Sequence, residues 1–141
     1  MLRVTVICQG RLKEKHYIAA CQEYQKRLAA YCQLEILELA ENGDVAGRIP
    51  KGAFVVAMCI EGQKIDSPAL AKLLEKQALA GVSRVCFLIG GSEGLPESVK
   101  AQADFRLSMS DMTFPHHLAR VMLLEQIYRA FTISAGAKYH K

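Results

Sequence analysis

Apolar-rich runs, most of them followed by a segment with apolar residues at helical spacing, constrain this chain more than any other feature of its sequence. Leu2 to Cys8 is apolar and β-branched and is closed by Gln9-Gly10, which predicts a first strand. From Glu14 to about Cys32, residues Tyr17, Ile18, Cys21, Tyr24, Leu28 and Tyr31 recur at the intervals of one helical face. Leu34 to Leu39 predicts a second strand, Ala53 to Ile60 a third ended by Glu61-Gly62, Arg84 to Ile89 a fourth and Phe105 to Met109 a fifth. Runs such as Ala53 to Ile60 lack polar alternation, as expected of a parallel strand covered on both faces. Ser67 is the expected N-cap of a helix with Pro68 in its first turn, Leu70, Leu73 and Leu74 on its buried face, and Gly81 as its stop. Pro96 to Ala103 predicts a short helix, and the last helix starts near Pro115. This alternation predicts an α/β fold: an open, mostly parallel sheet flanked on both faces by helices.

Composition narrows the class. With 141 residues, 51% of them hydrophobic and 23% charged, the chain is expected to form one domain over 1–141 and not a disordered or fibrous polymer. Its five cysteines lack any C-x-x-C pair and are expected as free, mostly buried thiols in a reducing compartment. The apolar run after Met1-Leu2-Arg3 is too short for a secretory leader, and no run is long enough for a membrane span, so a cytoplasmic protein is expected. The net charge of +4 permits nucleic-acid binding without establishing it. Much of it lies after Thr113, where Arg120, Arg129, Lys138 and Lys141 face Glu125 alone and His116, His117 and His140 join them. A solvated basic helix face accounts for this equally well.

In such a sheet, ligands bind beyond the carboxyl ends of the strands, so the loops leaving the strands carry the functional information. One is Gly90-Gly91-Ser92-Glu93-Gly94-Leu95, whose glycines let a ligand approach bare backbone. It lacks both the G-x-G-x-x-G order and a G-K-[ST] ending, and a tight turn explains it as well as a ligand does. The other is Ser110-Asp111-Met112-Thr113-Phe114-Pro115-His116, before the last helix.

Taken together, Gly90 to Leu95, Met112-Thr113-Phe114-Pro115-His116, the segment Arg120 to Arg129 and the ending Tyr139-His140-Lys141 resemble the RlmH family. Val6-Ile7-Cys8-Gln9-Gly10 with Leu12-Lys13-Glu14-Lys15 matches that family's opening, so the resemblance spans nearly the whole chain. The family belongs to the SPOUT class of knotted methyltransferases and methylates N3 of a pseudouridine in large-subunit ribosomal RNA. The resemblance implies a C-terminal trefoil knot, S-adenosylmethionine as cofactor, ribosomal RNA within the assembled ribosome as substrate, and a homodimer with its active site completed across the interface. Residue by residue, it implies cofactor contacts at Met58, Gly90, Ser110, Asp111, Met112, Thr113, Phe114 and Pro115. The chain departs from the family in one respect: a short Ala40 to Gly52 connection replaces a longer insertion between the second and third strands.

Methylating an imide nitrogen requires a proton acceptor and no metal. His116 and His140 are the candidate bases, because imidazole titrates near neutral pH. Arg120, Arg129, Lys138, Tyr139, His140 and Lys141 are the candidate RNA contacts, offering cations to phosphates and an aromatic surface to an extruded base. Pairing of Arg129 with Glu125 is the alternative for that arginine. The stripe Leu118, Val121, Leu124, Tyr128 and Phe131 suits either a dimer interface or the chain's own core. A valine at Gly90 is expected to block the adenosine slot without unfolding the chain. The competing functions are a non-catalytic ribosome-associated RNA-binding protein and a phosphate-binding enzyme built on the Gly90 to Gly94 loop.

Overall fold

The computed structural model describes Met1–Lys141 and shows one five-stranded sheet. Its strands are β1 (Arg3–Gln9), β2 (Gln33–Leu39), β3 (Phe54–Lys64), β4 (Arg84–Ile89) and β5 (Phe105–Ser108). The helices are α1 (Lys15–Leu28), α2 (Ser67–Leu79), α3 (Glu97–Lys100) and α4 (His116–Ser134). All neighbouring strands are parallel, in the spatial order β2-β1-β4-β3-β5.

Side chains alternate across a strand, and here the alternation divides the core in two. Val4, Val6 and Cys8 of β1, with Val85, Phe87 and Ile89 of β4, pack under α1, α2 and α4. Ile7, Val55, Ala57, Cys86 and Leu88 point the other way, beneath Val45, Leu95 and Val99. Helices therefore cover the two faces unequally: three long ones lie on the first, and the second has only the four-residue α3, a single 3-10 turn at Ala46–Arg48 and the connecting loops. Both central strands are buried on both sides, which is why their sequences read as continuous apolar runs.

The expected element order holds, with two local corrections. Glu61-Gly62 does not end β3, which runs on to Lys64 after a bulge: Met58 and Gln63 both stand opposite Leu107. At Gly62 the bulge presses on β5 so closely that an added Cβ would lie 2.8 Å from the carbonyl carbons of Arg106 and Leu107. The N-cap of α2 is Asp66, whose carboxylate accepts the Ala69 N–H at 2.9 Å. Ser67 instead donates its hydroxyl to Gln126 on α4 at 2.6 Å, tying the two helices together.

Arg120, expected at RNA, is placed inside the molecule and is only 2% exposed. Its guanidinium reaches across the carboxyl edge of the sheet to Glu38 of β2 at 2.5 Å and to the Gly10 carbonyl beyond β1 at 3.1 Å. Glu38 also accepts the Leu12 N–H at 2.9 Å. A phosphate contact is closed to Arg120 in this arrangement, because the charge is already engaged and covered. Burial works against the Glu38 carboxylate, but the Leu12 N–H and Arg120 outweigh it and hold that carboxyl below its usual range. Glu38→Gln is expected to cost about 3 kcal/mol at neutral pH by leaving the buried cation without a counter-charge, read from denaturant midpoints. A carboxylate with a depressed folded-state pKa stabilises above its unfolded pKa and loses that effect as pH falls through the folded one. The gap between parent and variant should therefore close in acid.

Candidate active site

The exits of β3, β4 and β5 enclose a cavity of about 720 Å³, within the range of small-molecule sites. One wall is the bulge of β3, where Met58, Cys59, Ile60 and Glu61 turn away from the sheet. The second is the Gly90 to Leu95 loop after β4, and the third is Ser110 with Met112 to His116, between β5 and α4. Of the eight residues expected at the cofactor, seven line this cavity: Met58, Gly90, Ser110, Met112, Thr113, Phe114 and Pro115. Asp111 is the exception. Its side chain turns outward, is 82% exposed, and pairs with Lys64 at 2.5 Å. The peptide between Ser110 and Met112 is folded back by the Ser110 hydroxyl, which accepts the Met112 N–H at 3.0 Å and leaves the intervening side chain facing solvent.

The glycine loop is a tight turn as well as a cavity wall. Gly91 and Gly94 pair as a single antiparallel bridge, with the Gly94 N–H donating to the Gly91 carbonyl at 3.0 Å. Gly94 takes φ +79°, which favours glycine. A Cβ on Gly90 would come within 2.4 Å of the Gly94 carbonyl carbon and the Leu95 nitrogen, both backbone atoms of the same turn. A valine at Gly90 would therefore disrupt the loop itself before it could fill a slot, contrary to the expectation that folding survives. Glu41, just beyond β2, holds the loop from outside: its carboxylate accepts the Ser92 N–H at 2.9 Å and the Ser92 hydroxyl at 3.3 Å. Those hydrogen bonds, led by the Ser92 N–H, keep its carboxyl below the ordinary range. Nothing in the local sequence marks Glu41 as part of a site; its partner is 51 residues away.

The description "Predicted SPOUT methyltransferase" of a protein family matches residues 2–140. The chain belongs to the SPOUT methyltransferase family. It is 40% identical to "Ribosomal RNA large subunit methyltransferase H" of Clostridioides difficile (strain 630), over 99% of this chain and 100% of that one. The protein of the same name from Bifidobacterium adolescentis is 42% identical over the same shares. These alignments span 159 positions, so at least eighteen positions of the relatives have no counterpart among the 141 residues here, in keeping with the short Ala40 to Gly52 connection. Among solved structures, a probable methylase family protein from Haemophilus influenzae superposes with a TM-score of 0.62 at 9% identity, covering 99% of this chain and 70% of that one. The tRNA (m1G37) methyltransferase from Aquifex aeolicus gives 0.58 at 17% identity, over 99% and 73%. At these identities the superpositions speak for the fold.

Within this SPOUT fold, α4 separates the two candidate bases. His116, at its first turn, borders the cavity. Desolvation and the neighbouring His117 hold its pKa below the ordinary imidazole value, so it stays neutral to lower pH than a free histidine. His140 lies at the other end of the helix, its Nδ1 3.1 Å from the Arg129 guanidinium. Thirteen residues separate His116 from Arg129, about 20 Å along the axis, so His140 does not reach its own chain's cavity. The tail is packed against α4. Arg129 grips Glu125 through two hydrogen bonds of 3.2 and 2.8 Å, and the Tyr139 hydroxyl donates to the same carboxylate at 2.8 Å. Burial and that carboxylate push the Tyr139 phenol up to about 12. Lys138 and Lys141 are exposed and make no ion pair. Leu124 belongs to the core, and Val121, Tyr128 and Phe131 pack partly against it.

Among the other cysteines, Cys8 and Cys86 are pushed up to about 12 and Cys32 to about 11, chiefly by burial, so these thiols are inert at neutral pH. No helix is long and apolar enough to cross a membrane. Glu41→Ala is expected to speed amide exchange at Ser92 by about tenfold, the loss of one hydrogen bond to a charged acceptor, while Glu41→Gln keeps most of the protection. Hydrogen–deuterium exchange resolved to the 90–95 loop checks both.

Proposed function

We propose that the chain is one domain over 1–141 with a C-terminal trefoil knot, and that it uses S-adenosylmethionine to methylate N3 of a pseudouridine in large-subunit ribosomal RNA. The observation that carries this reading is the convergence of Met58, Gly90, Ser110 and Met112 to Pro115 on a single cavity from three separate strand exits. The names of relatives aligned from end to end supply the substrate class.

The residues suit the cofactor. Met58, Ile89, Leu107, Met112 and Phe114 give apolar walls for an adenine, and the loops on both sides put backbone groups along its edge. Met112 is 73% exposed, an apolar side chain left at the rim where a ligand would cover it. When bound, S-adenosylmethionine supplies a methyl group on a positively charged sulfur. The protein's own tasks are to align the acceptor nitrogen and to take its proton. His116 fits the second, since a neutral imidazole at the edge of the cavity accepts the imide proton without first losing one. His140 serves the same acceptor only if the tail of one chain reaches the cavity of another. A homodimer acting on the assembled ribosome in the cytoplasm fits that geometry, and Lys138, Tyr139, Lys141 and Arg129 would then lie with RNA phosphates and bases at a composite site.

Titration calorimetry with S-adenosylmethionine tests the cofactor. A non-catalytic RNA-binding protein would give no heat and would displace this reading. His116→Gln is expected to lower methyl transfer by about 10²–10⁴-fold with little change in cofactor affinity. In the parent protein the rate should decline as pH falls through a value below the ordinary imidazole range, where His116 becomes protonated, and the variant should lack that decline.

A further inference from the structure

A second hollow, of about 480 Å³, opens beside the cofactor cavity at the carboxyl ends of β1 and β2. Arg11 and Lys13 stand on one side of it, Glu41 and His117 on the others, and it shares Ser92 and His116 with the cofactor cavity. Its fixed charges are the Arg11 and Lys13 cations and the single Glu41 carboxylate, a net positive lining. The Glu41 carboxylate is engaged by Ser92, Glu38 by Arg120 and the Leu12 N–H, and Glu14 by His117 at 3.3 Å. Arg11 and Lys13 are exposed and have no carboxylate within 4.0 Å. Between them, the Leu12 N–H is tied to Glu38, and the preceding Gly10 carbonyl is tied to Arg120. The two free cations thus sit on a loop fixed from both sides.

We propose that this hollow receives the acceptor nucleotide of the RNA, its base against the wall formed by His116 and Ser92 and its flanking phosphates on Arg11 and Lys13. The inference rests on the ribosomal RNA methyltransferase reading and gives it an entry route. An acceptor must come at the donor methyl from a space adjoining the cofactor, and His116 and Ser92 are the shared boundary of these two spaces. The ligand class follows from the walls. Unpartnered, pre-positioned cations suit phosphodiesters, and a partition of imidazole, hydroxyl and backbone suits the polar edge of an unstacked base. On this geometry His116 faces both reactants.

The test compares the full-length parent with the double variant Arg11→Ala/Lys13→Ala, using radiolabelled S-adenosylmethionine and ribosomes from cells that lack the modification. The expected result is a rise in KM for ribosomes of about tenfold or more, with cofactor affinity by calorimetry unchanged. The slope of log(kcat/KM) against log salt should become shallower by about 1.4, the value for two lost single-strand phosphate contacts at about 0.7 each. The charge-preserving pair Arg11→Lys/Lys13→Arg should restore both, which a defect in folding alone would not predict. An unchanged KM and salt slope would overturn the proposal. A fall in cofactor affinity would also overturn it, by placing these cations on S-adenosylmethionine. If the parent transferred no methyl group to ribosomes while binding the cofactor, the ribosomal RNA reading would fail, and this route with it.

Discussion

A single buried guanidinium organises the functional edge of this molecule. Arg120 enters from the second turn of α4 and ends on Glu38 and Gly10, 82 and 110 residues away in the chain. Removing a cation from water is costly, and a carboxylate, a carbonyl and a nearby N–H on the same carboxylate offset that cost here. The contact fixes three things at once: the start of α4, the turn after β1 and the end of β2. His116 lies one helical turn before Arg120, so its place at the cavity wall is set by the same contact.

Close backbone approach shapes the rest of the site. The bulge of β3 presses Gly62 onto β5, and the turn after β4 folds Gly90 onto Gly94, with no room for a side chain at either point. These contacts are local in effect. The bulge swings Cys59 to Glu61 out of the sheet to form one wall, and the turn forms another, so the cavity is defined by main chain more than by side-chain packing. Walls built this way tolerate changes in the apolar side chains facing the cavity better than changes at the two glycines.

Much of this was legible in the sequence because the governing interactions are short in range. Apolar runs marked the buried strands β1, β3 and β4, since a buried parallel strand needs no partner to announce itself; β2 and β5 were also placed, though both carry charged residues, and the two strand-exit loops line the candidate cavity. The misreadings share a different cause. Asp66 and Ser67 are both good capping residues, and the choice fell to Asp66 because Gln126 claims the Ser67 hydroxyl from another helix. The continuation of β3 through Glu61, Gln63 and Lys64 carries the composition of a loop and becomes a strand only because β5 is there to pair with it. Arg120 looks like a surface cation until Glu38 is placed opposite, and Asp111 looks like part of the cofactor loop until Lys64 draws it outward. Glu41 carried no signal at all, for its role exists only once the ends of β2 and β4 are brought together.

The layout of charge along α4 bears on how one short chain handles a large substrate. The ion pairs at its two ends differ in kind. Near the start, Arg120 is consumed internally and free cations are offered by the Arg11 to Lys13 loop instead. Near the end, Arg129 is bound to Glu125 and covered by the Tyr139 ring, 4.8 Å away, leaving Lys138 and Lys141 as the outward charges. His116 and Arg129 stand about 20 Å apart along α4, with the cavity beside only the first, so basic groups at both ends of the helix cannot serve one reacting base within a single chain. Either the far groups grip RNA remote from the reaction, or they belong to the cavity of a second chain. In the homodimer proposed above, the packing of Tyr139 on Tyr128 and Arg129 would let the tail present His140 to a partner without the ordering cost that a loose end would incur.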